Sequence, residues 1–532
     1  MSTIEIAFCL LFLATLAVAL VPKLKLPAEV ILLLGSLAIS FIPGLPEVAL
    51  KPDIVFLIFL PPILFTAAFS TSWRDFKNNL RPISAHAVGL ILFTMFCVAV
   101  AAKELISGMS WAQALLLGAI VAPPDASAAT IITKRLGAPR RLITVIEGES
   151  LVNDATALVA YRFALTAVLT GSFSPPSAAL ELVWVAIGGT IIGLLVAWVS
   201  LEILGRLKDS RAETTLTLLT SFACYIGAEH LGASGVISVV VGGLYCGRKF
   251  PAIASAKTKM AAKASWETIV FIINGFIFTL IGLQLPSIMR RLIAAKEYSA
   301  SELIEYALII SGVVIVSRIL WVFPVAYLPR YLSASLRERD PYPSWRELSI
   351  LGWTGMRGIV SLAAALALPE FLPSGQPFYD RNLLVFIVYS VILVTLLIPV
   401  FTLPVIMKWL KVKAGTEHLQ EEALARVVVT EAVIVRLGEL EDKKSFESEL
   451  IQRFKVKFER RLLSFRSNLQ PAGFSMIHTE ELDLRRVSRE TVDAERSALD
   501  RLRKDGKIHD EIFHAISEEL NFEELRLKSP RL

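Results

Sequence analysis

The chain has 532 residues, of which 54% are hydrophobic and 19% charged, with a formal net charge of +6. So apolar a composition over this length excludes an ordinary soluble globular protein. The positive balance, which in a soluble chain would point to nucleic acid, is explained here by where Lys and Arg fall between apolar stretches.

Up to about residue 408 the sequence is a series of apolar stretches of roughly 18–25 residues, the length a helix needs to cross a bilayer. Spans are expected at 4–21, 27–44, 53–71, 83–102, 111–133, 149–170, 178–204, 213–229, 233–247, 266–286, 303–328, 349–369 and 382–407. MSTIEIAFCL has no basic region before its apolar run, so the first stretch reads as a membrane helix rather than a cleaved signal. Cys9, Cys97, Cys224 and Cys246 lie in or beside these stretches with no CxxC spacing, which reads as packing rather than a metal or disulfide framework.

Basic residues are asymmetric between alternate loops. One set holds Lys23 and Lys25; Arg74, Lys77 and Arg81; Lys134, Arg135, Arg140 and Arg141; Arg206, Lys208 and Arg211; Arg248, Lys249, Lys257, Lys259 and Lys263; and Arg330, Arg337, Arg339 and Arg346. Lys408, Lys411 and Lys413 follow at the start of the tail. The other set holds Lys51, Lys103, Arg290, Arg291, Lys296 and Arg381. The ratio, about 24 to about 6, predicts a cytoplasmic tail, an external N-terminus and an odd number of spans. The expected division is a transmembrane domain over 1–408 and a cytoplasmic helical domain over 409–532. Helical spacing in the latter shows in EEALARVVVTEAVIVRLGEL, ERRLLSFRSNL and EIFHAISEEL. It carries no nucleotide-binding motif and reads either as a regulatory or dimer-supporting element or as a solvated appendage.

Charge inside a membrane span is costly unless paired or hydrated, which makes each such residue a functional candidate. In VIEGESLVNDATALVAYRF, Glu147, Glu149 and Asp154 lie near the start of an apolar helix; Glu149 shares a face with Asn153, and Ser150 with Asp154. Glu147 and Glu149 also suit a helix start, where the dipole favours acids. Asp154 lies deeper. Its carboxylate, the Asn153 carbonyl and the Ser150 hydroxyl supply oxygens for a hard monovalent cation, and a desolvated carboxylate also takes a proton.

In AIVAPPDASAATIITK, Pro123 and Pro124 interrupt an apolar run just before Asp125. Unpaired backbone at membrane depth is tolerated only around a site or cavity, and a broken helix beside an acid is a transporter signature. A simple proline kink with Asp125 as a cap is the plainer reading. In LGWTGMRGIVSLAAALALP, Gly352, Gly355 and Gly358 surround Arg357, which permits a second interruption or, alternatively, close helix packing. Arg318 is a lone cation mid-helix and needs a partner, for which Glu149 is the choice. Glu229, His230 and Asp53 fall near helix ends and read as interfacial; His86 reads as packed.

Four strings, PPILF at 61–65, VAPPDASAA at 121–129, EGESLVNDATALV at 147–159 and GWTGMRGIVSLAAALALP at 352–369, resemble the bacterial branch of the monovalent cation:proton antiporter-1 family. The resemblance covers about residues 5–410. It implies an all-α membrane fold of 13 helices with two crossed broken helices, a dimerisation domain and a mobile core, and a homodimer working by elevator-like alternating access in the plasma membrane. It gives Asp154 the role of ion- and proton-binding acid, with Asn153 beside it as in electroneutral relatives, and Ser150 and Asp125 close to the ion. Pro124 and Arg357 support the broken helices, and Glu149 with Arg318 forms a structural ion pair.

The chain departs from that pattern twice. The unwound stretch reads Pro124-Asp125-Ala126 where many relatives have Thr-Asp-Pro, leaving Ser127 or Thr130 to supply a hydroxyl. Thr66 stands where close relatives often carry an acid. The expected activity is exchange of Na+, or alternatively K+, Li+ or several cations, for H+, with no cofactor, no nucleic acid and membrane lipid as surroundings. A channel and a membrane sensor signalling through the tail are the rival classes; no nucleophile–base pair or metal-ligand set supports an enzyme.

Overall fold

The computed structural model describes residues 27–41, 55–170, 175–295, 298–372, 378, 380–412, 417–442 and 446–467, with scattered positions nearer each end. Most of the expected span 4–21, Lys23, Lys25 and Asp53, and most of EIFHAISEEL lie outside the described residues. Helices in chain order are α1 (Ala28–Ile39), α2 (Leu60–Ser70), α3 (Ile91–Leu105), α4 (Trp111–Val121), α5 (Ser127–Arg135), α6 (Arg140–Thr170), α7 (Pro175–Leu204), α8 (Ser210–His230) and α9 (Gly235–Ile253). They are followed by α10 (Ala256–Ala294), α11 (Ala300–Leu332), α12 (Trp345–Trp353), α13 (Ile359–Leu366), α14 (Arg381–Trp409), α15 (Glu417–Asp442) and α16 (Ser448–Ser467). Seven of the described segments are long and apolar enough to cross a membrane: Leu80–Leu105, α6, Val183–Leu204 of α7, α9, α10, α11 and α14. The fold is an all-α membrane fold.

Local sequence explains the irregular turns. Pro61 and Pro62 have no N–H to return to Leu57 and Ile58, and the chain before α2 widens into a π-helical turn at Val55–Phe59. A second π-turn, Ala85–Leu90, leads into α3; there the His86 ring nitrogen Nδ1 meets the Pro82 carbonyl at 2.7 Å and competes for a backbone acceptor. Helix α6 begins at Arg140, directly after Pro139, a residue suited to a helix boundary. This corrects the expected start near 149: Glu147 and Glu149 lie well inside the helix, so the N-terminal dipole does not account for them.

The membrane helices form two groups that pack more within than between. Helices α1, α2 and α7–α10 make one: α9 lies against α2 and α7, and α10 against α1 and α8. Helices α3–α6 and α11–α14 make the other, with α4 against α3 and α6 and α14 against α11 and α13. Small residues permit the tightest contacts; a Cβ on Gly243 or Gly247 of α9 would run into the backbone of α2 at Phe65 and Phe69.

The chain divides into two compact units, Met1–Ala414 and Gly415–Leu532. In the second, α15 and α16 pack on each other. Arg466 reaches Glu431 at 2.6 Å, and the Arg426 and Arg461 guanidiniums cover the Phe465 ring. The hydrogen bond and charge of Lys455 hold the Glu441 carboxyl below the usual carboxylate range.

Candidate ion-binding site

Two interrupted helices meet at the centre of the second helical group. Between α4 and α5 the helix is interrupted over residues 122–126, and between α12 and α13 over 355–358. They touch through the backbone: the Asp125 N–H donates to the Met356 carbonyl at 2.6 Å. Pro123 and Pro124 supply no N–H, so α4 cannot continue, and its last carbonyls need other donors. Arg357 provides them, with Nε on the Val121 carbonyl at 3.0 Å and Nη2 on that of Ala122 at 3.4 Å. The Thr395 hydroxyl accepts the Arg357 N–H at 3.2 Å. A guanidinium at a helix C-terminus also opposes the negative end of the dipole.

Asp125 has two tasks. Its Oδ1 accepts the Ser127 N–H at 2.8 Å and the Ser127 hydroxyl at 2.6 Å, opening α5. Its Oδ2 lies against Gly358, where any Cβ would overlap it. Gly358→Ala is therefore expected to force the two interrupted segments apart and to reduce exchange to a small fraction of wild type with the protein still in the membrane. Wild-type rates in cation-dependent dissipation of a pH gradient, at equal membrane abundance, would contradict this.

Helix α6 crosses behind both breaks. Asn153 is buried and donates through Nδ2 to the Pro124 carbonyl at 2.7 Å, while its Oδ1 has no hydrogen-bond partner. The Ser150 hydroxyl oxygen accepts the Ala126 N–H at 3.2 Å. Asp154 and Asp125 line one cavity of about 190 Å3 together with Ser127, Thr130, Ser150 and Ser361. At about 30 Å3 per water this is room for an ion and a few waters. The Thr130 and Ser361 hydroxyls are buried without partners, so uncommitted oxygens surround the two carboxylates. Such a set suits a hard cation, and a buried acid without a cation is favoured neutral.

The other face of α6 carries Glu149. Arg318 grips it with both terminal nitrogens, Nη2 reaching Oε2 at 2.9 Å and Nη1 paired with Oε1, while Nε donates to the Leu351 carbonyl at 3.0 Å near the end of α12. Both residues are 1% exposed. The two buried arginines thus act in parallel, each supplying donors at the C-terminal end of an interrupted helix.

A solved structure has a similar overall fold. The sodium proton antiporter MjNhaP1 from Methanocaldococcus jannaschii superposes with a TM-score of 0.55 over 76% of this chain and 97% of that one, at 20% identity, a likeness of fold. The sequence pattern of the transmembrane sodium/hydrogen exchanger family matches residues 9–409. The chain belongs to the sodium/hydrogen exchanger family. It is a multi-pass membrane transporter that exchanges monovalent cations for protons, not an enzyme, as the antiporter-1 resemblance implied. Along its length the exchanger is similar to an uncharacterized Na+/H+ exchanger of Mycobacterium tuberculosis, 34% identical over 95% of this chain and 92% of that protein. It is also similar to a sodium, potassium, lithium and rubidium/H+ antiporter of Bacillus subtilis, 28% identical over 93% of this chain and 74% of that protein. A low-affinity Na+/H+ antiporter of Synechocystis is 31% identical over 84% of the exchanger and 82% of its own length.

Several placements were not legible in the sequence. Thr66 donates its hydroxyl to the Pro62 carbonyl at 2.8 Å and lines a different cavity from that of Asp154. Glu229, read as interfacial, pairs with Arg162 of α6 at 2.8 Å and accepts the Gly235 N–H at 3.0 Å, fastening α8 and α9 to α6. Arg162 stands eight residues beyond Asp154, and its one signal in the sequence is that of a cation inside an apolar span. Glu147, lining the Asp154 cavity, pairs with Lys134 at 2.6 Å.

Proposed function

We propose that Asp154 is the exchange site, binding either one monovalent cation or one proton. The observation that carries the reading is that Asp154 and Asp125 line one cavity where two broken helices cross, amid oxygens that lack partners. Asn153 and Ser150 hold the broken segment at a fixed distance from that acid, and the Asn153 Oδ1 and Ser150 oxygens complete the ligand set. Asp125 orders α5 and adds negative potential. Glu149 and Arg318 hold α6 to α11, and Arg357 and Pro124 maintain the break.

Competition at one carboxylate gives coupling without another device. A cation or a proton neutralises Asp154 equally, and the neutral form crosses the low-dielectric barrier. Asn at 153 adds no second charge there, which favours one-for-one, electroneutral exchange. Movement of the α3–α6 and α11–α14 group against the other group, in an elevator manner, carries the site between faces. The exchanger then works as a homodimer in the plasma membrane, with the N-terminus outside and residues 409–532 forming a cytoplasmic helical domain.

Na+ is the first choice of cation. Broader selectivity is the second, favoured by the name of the Bacillus subtilis relative and by the absence of an acid at Thr66. In everted vesicles, Na+, Li+ and K+ added in turn are expected to collapse a preformed pH gradient, with Na+ effective at the lowest concentration and the rate unchanged when valinomycin and K+ clamp the membrane potential. A rate that follows the clamped potential would remove electroneutrality; K+ acting at lower concentration than Na+ would replace the cation.

A further inference from the structure

A second cavity, of about 820 Å3, lies on the other side of α5 from Asp154. It is bounded by Ile131, Ile132 and Arg135 of α5, Val400 and Phe401 of α14, and residues of α1, α2 and α10. Three polar side chains line it: Glu29 in the first turn of α1, Thr66 of α2 and Asn274 of α10. Glu29 is only 6% exposed, and its Oε2 has no hydrogen-bond partner; the Asn274 amide oxygen is buried and equally unmatched. The Thr66 hydroxyl proton is committed to Pro62, which leaves its oxygen lone pairs available. Two further charged groups, Glu267 of α10 and Arg135, line the same cavity.

A buried carboxylate oxygen facing apolar walls without a donor is costly unless it meets a cation or takes a proton. Here an amide oxygen and a hydroxyl oxygen line the same cavity as the acid, an oxygen set of the kind hard cations require. The first helical group supplies all three residues, whereas Asp154 belongs to the second. We propose that Glu29, Asn274 and Thr66 form a second binding site for a monovalent cation, a staging position separate from Asp154. The proposal rests on Asp154 being the exchange site, and the test separates the two.

Radiolabelled Na+ binding to the purified full-length protein is measured for wild type, Asp154→Asn, Glu29→Gln and the double variant, alongside exchange in vesicles. Asp154→Asn is expected to lose exchange but keep saturable Na+ binding, and adding Glu29→Gln removes that remainder. Glu29→Gln alone is expected to raise the Na+ concentration for half-maximal exchange about tenfold, as loss of one charged partner does, with the maximal rate retained. Asn274→Leu gives a smaller rise of the same kind and serves if Glu29→Gln does not fold. No saturable binding in Asp154→Asn, binding that persists in the double variant, or an unchanged half-maximal concentration in both Glu29→Gln and Asn274→Leu overturns the proposal. Exchange that survives Asp154→Asn instead overturns the reading of Asp154 and leaves Glu29 to be judged on binding.

Discussion

Asp154→Asn is expected to reduce cation-dependent proton exchange by about 100-fold or more while the protein remains folded and inserted. Asn keeps the volume and one oxygen, so the packing of α6 against α4 survives; what disappears is the charge that a cation must neutralise and the oxygen that a proton must occupy. At about 1.4 kcal/mol per tenfold, a 100-fold loss corresponds to about 2.8 kcal/mol, within what one buried charge contact contributes. Vesicle exchange is the readout, with chromatographic behaviour and thermal unfolding of the purified protein as controls for folding. A well-folded Asp154→Asn protein that still dissipates a pH gradient on Na+ addition would show that the coupling carboxylate lies elsewhere. Ser150→Ala, by contrast, removes one acceptor of a backbone N–H and is expected to weaken exchange by a few-fold only, at about 1 kcal/mol.

The second large effect concerns stability. Arg318→Met strands Glu149 as an unpaired charge at 1% exposure and leaves the Leu351 carbonyl without its donor. Glu149→Leu strands the guanidinium in the same way. Each single substitution is expected to cost about 3–5 kcal/mol, whereas replacing both by apolar residues of similar size recovers much of that, because the desolvation penalty of both charges vanishes together. Thermal unfolding of the purified protein tests this by rank order: the double variant should unfold at a higher temperature than either single one. A double variant less stable than both would mean that Arg318 acts mainly through the carbonyl of α12 rather than through Glu149.

The Glu149–Arg318 contact shows how far sequence reasoning reaches. A lone arginine mid-span needs an acid, and few acids lie at comparable depth, so chemistry alone narrows the choice. Likewise the proline pair at 123–124 and the glycines around Arg357 mark two helix breaks, because missing N–H groups and missing Cβ atoms have local consequences. The spans themselves follow from the apolar content and length of each stretch.

Other features depend on what the chain brings together. The dipole reading of Glu147 and Glu149 fails because the boundary of α6 is set at Pro139, upstream of the apolar stretch by which the span was judged. Arg357 could be recognised as an intramembrane cation, yet that its donors serve the carbonyls of Val121 and Ala122 depends on the two breaks crossing. Glu229 near one helix end and Arg162 within another meet only through tertiary packing. The acid at Glu29 sits 37 residues from Thr66 in the chain, and nothing local links it to a cavity.

The sequence by itself determined an all-α membrane transporter with a buried Asn153-Asp154 pair and two interrupted helices, since hydropathy, proline and unpaired charge are properties of a residue and its near neighbours. Only the tertiary structure decided which oxygens face one another, which arginine serves which broken helix, and that a second carboxylate lines a separate cavity. Those depend on distances between remote segments, and electrostatics and hydrogen bonding act through distance rather than through order along the chain.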